Sequence, residues 1–207
     1  MKHYILLLVL IIFSGAKVFS QHLINESEIL KRNRIKSLTI SNCFGSGCIK
    51  NDYFFDENGQ KIKFIPAVVN MYFEWEYDDK GRLKVEWVKN HCCNEDTLQY
   101  SIHSFYDKKN EMQISSRIRS TYENGKVIEE EKISAEKKRK EYPGKTNHKG
   151  QIIEQEVGPL SYPCGVYFEG NNRIQYYYAP SGLISGGEIY NESNEIIIEL
   201  EYAYQRY

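Results

Sequence analysis

Short apolar segments and short polar segments alternate along most of the chain. The apolar segments are rich in Tyr, Phe, Trp, Ile and Val, and the polar segments between them contain Asp, Asn and Gly. Aromatic and β-branched residues favour strands, whereas Asp, Asn and Gly favour the tight turns that join antiparallel strands. The pattern therefore predicts an all-β fold: an antiparallel meander of hairpin repeats that forms an open curled sheet or a sandwich.

One segment near the start has a different composition. Residues 25–36 contain several helix formers, and Asn25 or Ser27 can cap a helix there. We therefore expect a short N-terminal helix or linker at residues 21–36, followed by the β-hairpin repeat domain at residues 37–207.

The predicted turns share one pattern, which is an aromatic residue, then Asp or Asn, two polar residues, and finally Gly or Asn. The Asp or Asn side chain can accept hydrogen bonds from the backbone two or more residues on, and the last position tolerates a left-handed conformation. This chemistry is typical of a type I turn followed by a bulge. The best copies are residues 55–59, 77–81, 106–110 and 190–194, and the weaker copies are residues 122–125, 147–150 and 168–172.

One hairpin can be predicted residue by residue. If Asp78 pairs with Arg82 across the turn, an uninterrupted register places Trp75 opposite Val85 and Phe73 opposite Trp87. The same register brings Glu74 opposite Glu86. Aromatic and β-branched pairs across two strands favour this alignment, because a slip by one residue would move the apolar face into water.

These turns carry a resemblance to a known group. The aromatic-Asp-x-x-Gly pattern followed by a strand, best seen at residues 77–83, resembles the YD-repeat (rearrangement-hotspot) group of bacterial secreted β-proteins. Residues 122–127 are similar to MORN-like repeats. The resemblance covers residues 50–200 loosely and with irregular spacing. It implies a β-hairpin scaffold and transfers no catalytic residue.

The first twenty residues have the pattern of a secretory signal peptide. Lys2 precedes the apolar run at residues 5–13, and small residues follow before Gln21. This run is far shorter than the roughly 20 apolar residues needed to span a bilayer, and no later segment approaches that length. We therefore expect residues 1–20 to direct export to the periplasm, the outer surface or the medium, with no transmembrane segment.

The five cysteines all follow the predicted signal peptide, so disulfide bonds are expected in an oxidising compartment. Cys43 and Cys48 enclose two glycines, which give the backbone enough freedom to bring the two sulfur atoms together. We predict this local disulfide, and we predict that the adjacent Cys92 and Cys93 are not bonded to each other. The remaining connectivity is open, and at least one thiol is left over.

Charge and motifs exclude some functions. The 27 basic and 28 acidic residues nearly balance, so the basic surface that nucleic-acid binding requires is not expected. We find no signature of a cofactor site or of a catalytic nucleophile. The cluster of His91, Cys92 and Cys93 with His103 has metal-binding residue types but lacks a second ligand pair, so a disulfide or loop role is favoured.

The tyrosines suggest a binding surface. The chain has 17 of them, and Tyr176, Tyr178, Tyr202 and Tyr204 are candidates for an exposed aromatic stripe, although tyrosine also fills strands and cores. We therefore expect an exported, non-enzymatic binding or scaffold protein that presents an aromatic β surface to a protein or glycan, with no cofactor. The alternative is a secreted hydrolase whose carboxylates, Glu74 and Glu86 among them, meet in the fold.

Overall fold

A computed structural model describes residues 27–45, 47–67, 70–92, 95–106, 114–133, 144–161 and 167–207. Within these ranges the chain forms one short helix and fifteen strands. They are α1 (Ser27–Arg32), β1 (Ile35–Phe44), β2 (Gly47–Phe55), β3 (Lys61–Pro66), β4 (Met71–Tyr77), β5 (Leu83–Cys92), β6 (Glu95–Tyr106), β7 (Ile114–Glu123), β8 (Lys126–Ile133), β9 (Gly144–Thr146), β10 (Ile152–Val157), β11 (Leu160–Ser161), β12 (Tyr167–Phe168), β13 (Asn172–Tyr178), β14 (Ile184–Tyr190) and β15 (Ile196–Arg206).

The predicted all-β meander with a short helix is confirmed. Thirteen of the described strands form one open antiparallel sheet in the order β8-β7-β6-β5-β4-β3-β2-β1-β15-β14-β13-β10-β9, and β11 pairs separately with β12. Contacts between residues divide the chain into two compact units. Unit 1 comprises residues 1–60 and 141–207, and unit 2 comprises residues 61–140. The predicted signal peptide lies outside the described residues.

The first and last strands of the chain are neighbours in the sheet of unit 1. Strand β1 pairs with β15 from Ile35, opposite Arg206, to Cys43, opposite Glu199. Its core contains a row of isoleucines on one face of the sheet, and these have at most 1% of their surface exposed: Ile174, Ile189 and Ile198. Burying each such side chain contributes about 1.5–3 kcal/mol. We call this the inward face of unit 1.

Unit 2 has a comparable row of apolar side chains. Phe64 lies opposite Phe73, Phe73 opposite Val88, and Val88 opposite Tyr100. All four are buried. The rings of Phe64 and Phe73 stack with their centroids 5.7 Å apart, a separation at which aromatic pairs attract beyond simple burial.

The turns repeat one hydrogen-bond pattern. At Asp78, the backbone N–H donates to the carbonyl of Arg82 at 2.9 Å, and the N–H of Gly81 donates back to the carbonyl of Asp78 at 2.8 Å. Gly81 has a φ of 73°, as the predicted turn requires. The same two bonds occur in the turns that begin at Asp56, Asn147, Ala179 and Asn191. The predictions at residues 55–59, 77–81, 147–150 and 190–194 are therefore confirmed.

Two weaker copies form different structures. At residues 122–125, Glu123 pairs directly with Lys126, and both Asn124 and Gly125 have positive φ, so this is a two-residue hairpin turn. The bulge of this hairpin lies beyond the turn, at Ile128. At residues 168–172 no hairpin closes, because Phe168 pairs with Leu160. Most of the predicted turn at residues 106–110 lies outside the described residues.

The predicted register between β4 and β5 is wrong beyond its first pair. Tyr77 lies opposite Leu83 as expected, but Lys84 is an extra residue, so Glu76 lies opposite Val85. Trp75 consequently faces Glu86, not Val85, and its indole N–H donates to the Glu86 carboxylate at 2.9 Å. Similarly, the indole N–H of Trp87 donates to Glu76 at 2.8 Å. The bulge thus gives both indoles a hydrogen-bond acceptor.

A tyrosine hydroxyl connects neighbouring hairpins. The hydroxyl of Tyr77 donates to the carbonyl of Lys61 at 2.9 Å, and that of Tyr106 donates to the carbonyl of Leu83 at 2.8 Å. Tyr178 bonds the carbonyl of Ile152 at 2.8 Å in the same way. In each case the acceptor immediately follows a bulged turn. At these three positions the aromatic residue of the repeat therefore connects one turn to the next.

We expect Tyr106→Phe to lower the free energy of unfolding by about 1 kcal/mol, because the Leu83 carbonyl loses its partner in a partly buried position. The phenyl ring remains beneath the Arg82 guanidinium, which lies 4.4 Å from the centre of the Tyr106 ring. Urea denaturation measures the change. Tyr106→Ala should cost more, since it also removes the ring, and a Phe variant as stable as the parent would contradict the role of the hydroxyl.

Candidate binding site

The four tyrosines singled out in the sequence lie largely with the core. Tyr176 has only 3% of its surface exposed and belongs to the apolar cluster of unit 1, so it is not available to a partner. Tyr178 and Tyr202 pack against the same cluster and are partly buried. Tyr204 is half-buried opposite the buried Leu38. The period of two along β13 explains this placement, because Tyr176 follows Ile174 onto the inward face.

The opposite face of β13 and β14 carries tyrosines that are accessible. Tyr177 is 40% exposed, and its ring lies beside Gly186, its partner on β14. The hydroxyls of Tyr177 and Tyr190 both donate to one oxygen of Glu188. These bonds lower the pKa of the Glu188 carboxyl and raise the pKa of Tyr177, because they favour the ionised acid and the neutral phenol.

Ion pairs extend this arrangement along the sheet. The Arg173 guanidinium lies 4.8 Å from the centre of the Tyr190 ring and 3.2 Å from an oxygen of Glu154. Lys145 approaches the other Glu154 oxygen at 2.7 Å, and its hydrogen bond lowers the pKa of that carboxyl. The side chains are therefore held in place by mutual contacts, although exposed ion pairs of this kind add little stability.

Carboxylates dominate the same face. Glu199 lies opposite Glu188, and Glu201 lies opposite Gly186, so both point to the side that carries Tyr177. Both are exposed, and neither makes an ion pair among the described residues. We call Tyr177, Tyr190 and these carboxylates, with Glu154 and Arg173, the acidic tyrosine face of unit 1.

In unit 2, unlike the acidic tyrosine face of unit 1, cationic side chains lie over aromatic rings. The Lys61 ammonium lies 4.2 Å from the centre of the Trp75 ring, and Arg119 lies 4.3 Å from that of Tyr100. Burial lowers the pKa of Lys61 to about 8, with the Glu86 charge acting in the opposite direction. Desolvation likewise raises the pKa of Tyr100.

The carboxylate pair considered for a hydrolase is not formed. The bulge in β5 places Glu74 opposite Trp87 and Glu86 opposite Trp75, so the two acids lie on opposite faces of the sheet. Glu74 is held by Lys63 at 3.5 Å and by Lys89 at 2.5 Å.

The cysteines and histidines are described only in part. Cys43 and Cys48 form the predicted disulfide bond, with Cα atoms 4.1 Å apart across the β1–β2 hairpin. Cys93 lies outside the described residues, so the predicted absence of a Cys92–Cys93 bond stays a prediction. The His103 ring meets Trp87 edge-on with 5.9 Å between centroids. Among the side chains that the structure describes, no three His, Cys, Asp or Glu residues group as metal ligands.

A cleft of about 540 Å³ lies beside α1, but its polar groups already serve the fold. Arg32 donates to the carbonyl of Ser181 at 3.0 Å, and Gln151 donates to that of Gly182 at 3.0 Å. These bonds hold the helix and two turns together. In the described part of the chain, no helix has the length and apolar character needed to cross a membrane.

The comparisons with known proteins add little to this geometry. No family model matches the sequence, and no curated protein matches it. Among solved structures, the chain is similar to one from the Tc holotoxin pore of Photorhabdus luminescens, with a TM-score of 0.23 and 13% identity. The match covers 74% of this chain and only 10% of that one. At this distance the similarity identifies neither a family nor a function.

Proposed function

We propose that the chain is an exported, non-enzymatic binding protein whose acidic tyrosine face docks a basic segment of a partner protein. The observation that carries the proposal is the juxtaposition of exposed Glu199 and Glu201 with the fixed Tyr177 and Glu188. The export signal expected at residues 1–20 and the resemblance of the turns to secreted YD-repeat proteins support the location. In this proposal the hairpin repeats serve as the scaffold.

Charge favours a basic protein segment over a glycan. Carboxylates without a neighbouring cation attract Lys and Arg and raise the rate of association, and this attraction weakens with salt. A tyrosine ring next to them adds a cation–aromatic contact. A neutral glycan would use the ring and hydrogen bonds but would gain nothing from the excess negative charge.

The test uses a synthetic peptide with alternating Lys and Ser, with an acidic peptide of equal length and a neutral chitin oligosaccharide as competing probes. We expect the Lys peptide to bind and E199K/E201K to weaken it at least tenfold, because the variant reverses two charges on the face. Tyr177→Ala should weaken it about two- to fivefold, the size of an exposed cation–aromatic contact of about 0.5–1 kcal/mol. Isothermal titration calorimetry at two salt concentrations measures both effects.

The control variant is E123K/E129K, which makes the same change in net charge at exposed glutamates of unit 2. Binding should be retained in this variant. An equal loss in both double variants would reduce the effect to net charge and overturn the proposal. Binding of the oligosaccharide, unaffected by E199K/E201K, would favour a glycan instead.

A further inference from the structure

Three polar side chains of unit 2 lie together on strands β6 and β7. Ser104 lies opposite Arg117, and Ile102 lies opposite Arg119. Residues directly opposite in an antiparallel pair point to the same side of the sheet, and so do residues two apart on one strand. Ser104, Arg117 and Arg119 therefore share one face.

These side chains carry buried donors that have no acceptor among the residues the structure describes. Ser104 is only 8% exposed, and its Oγ makes no hydrogen bond among the described residues. The Nε atoms of Arg117 and Arg119 are also buried and lack an acceptor in the same part of the chain. Unpaired buried donors are rare in native proteins, because each loses its bond to water without replacement.

The face around Ser104 has one cation without a counter-ion among the described residues. Glu86, opposite Ile102 on this face, attracts the Lys61 ammonium. Arg119 stacks on Tyr100 and has one carboxylate neighbour, Glu131, at 3.4 Å, whose side chain is 53% exposed. Arg117 forms no ion pair with any described residue, and its neighbour on β8 is the apolar Ile133. A buried hydroxyl opposite one arginine that has no ion pair, with a second arginine two residues along the same strand, is an arrangement that suits an anion.

We propose that Ser104, Arg117 and Arg119 bind an oxyanion group of a ligand, such as a carboxylate, phosphate or sulfate. Arginine presents its donors in a planar fork that matches two oxygen atoms at once, and the serine hydroxyl can donate to a third. Arg119 would exchange its long contact with Glu131 for the ligand. This site is independent of the acidic tyrosine face, which lies in unit 1 and has the opposite charge.

The experiment follows the Nε–H signals of arginine by NMR in ¹⁵N-labelled full-length protein, with inorganic phosphate in one titration and acetate in another. We expect saturable shifts of the Arg117 and Arg119 signals. Arg117→Gln should raise the dissociation constant at least tenfold, and Ser104→Ala should raise it about fivefold. Tighter binding of phosphate than of acetate would assign the site to tetrahedral oxyanions, and the reverse to carboxylates.

The matched control is Arg206→Gln, which removes an exposed arginine on β15 in unit 1 and should leave the titration unchanged. Shifts that do not saturate, or an equal loss in Arg206→Gln, would overturn the proposal. If Arg117→Gln does not fold, Ser104→Ala and Arg117→Lys decide the question, because Lys keeps the charge but lacks the Nε–H. Failure of E199K/E201K to affect peptide binding would leave this result untouched.

Discussion

Replacing Gly59 by alanine should lower the free energy of unfolding by about 3–5 kcal/mol. Gly59 has a φ of 75°, where an L-residue pays about 1–2 kcal/mol. A Cβ atom there would also lie 2.2 Å from the carbonyl oxygen of Ser27 and 3.0 Å from the backbone nitrogen of Lys31. Both belong to α1, whose backbone must move. The fully buried Leu30 then loses part of its packing, which adds about 2–3 kcal/mol, the low end of the cost of removing a buried leucine side chain.

Gly150→Ala measures the cost of backbone strain alone, without the contact to α1 that a side chain at residue 59 makes. Gly150 occupies the same position in an equivalent turn, with a φ of 76°, but no heavy atom lies within 4 Å of an added Cβ. Its alanine variant should therefore lose only about 1–2 kcal/mol. Urea unfolding of both variants measures the difference, which we assign to the docking of α1 on the turn. Equal losses would show that the helix contributes nothing there.

The turns could be predicted from the sequence because their chemistry is local. In the turn at Asp56, the side chain accepts hydrogen bonds from the backbone of Asn58 and Gln60 at 2.9 and 2.8 Å, and all the groups involved lie within five residues. The turn that begins at Ala179 was missed, because alanine has no such acceptor. Pro180 at the second turn position and Gly182, with a φ of 87°, were the signals present there.

The register of β4 and β5 could not be obtained in the same way. Matching apolar residues in pairs favoured an uninterrupted ladder, but the observed bulge at Lys84 places each indole N–H next to a carboxylate. The stability gained from those two hydrogen bonds depends on the position of the whole hairpin. The order of apolar and polar residues along the chain does not show whether these bonds can form.

Of the candidate sites, one can likewise be predicted from local sequence and the other depends on strand register. The alternation that begins at Ile174 is sufficient to place Tyr177 on the outward face of β13, because it continues through the three consecutive tyrosines. By contrast, the pairing of Ser104 with Arg117 depends on the register between β6 and β7. The turn predicted at residues 106–110 does not give this register, because an uninterrupted ladder from it would place Ser104 opposite Ile114. That site required the structure.

Replacing Gly187 by alanine should lower the free energy of unfolding by about 2–3 kcal/mol, the upper range for overpacking a well-packed interior. An added Cβ would lie 2.8 Å from the carbonyl oxygen of Gln175 on β13 and 3.3 Å from a methyl carbon of Leu200 on β15. Because Gly187 lies on the middle strand of β13, β14 and β15, both neighbours must shift, and the carbonyl cannot rotate away as a side chain can.

Gly186→Ala is the control for this prediction, since it changes the adjacent residue on the same strand. Its Cβ would lie 3.4 Å from the Leu200 carbonyl oxygen and 3.8 Å from the Tyr177 ring, both compatible with ordinary contact, so we expect a loss below about 1 kcal/mol. Thermal and urea unfolding should therefore separate two variants that differ only in the face on which a methyl group is added. Equal stability of the two variants would mean that β13 and β15 can move apart around Gly187 at little cost. It would contradict the conclusion that the inward face is tightly packed there.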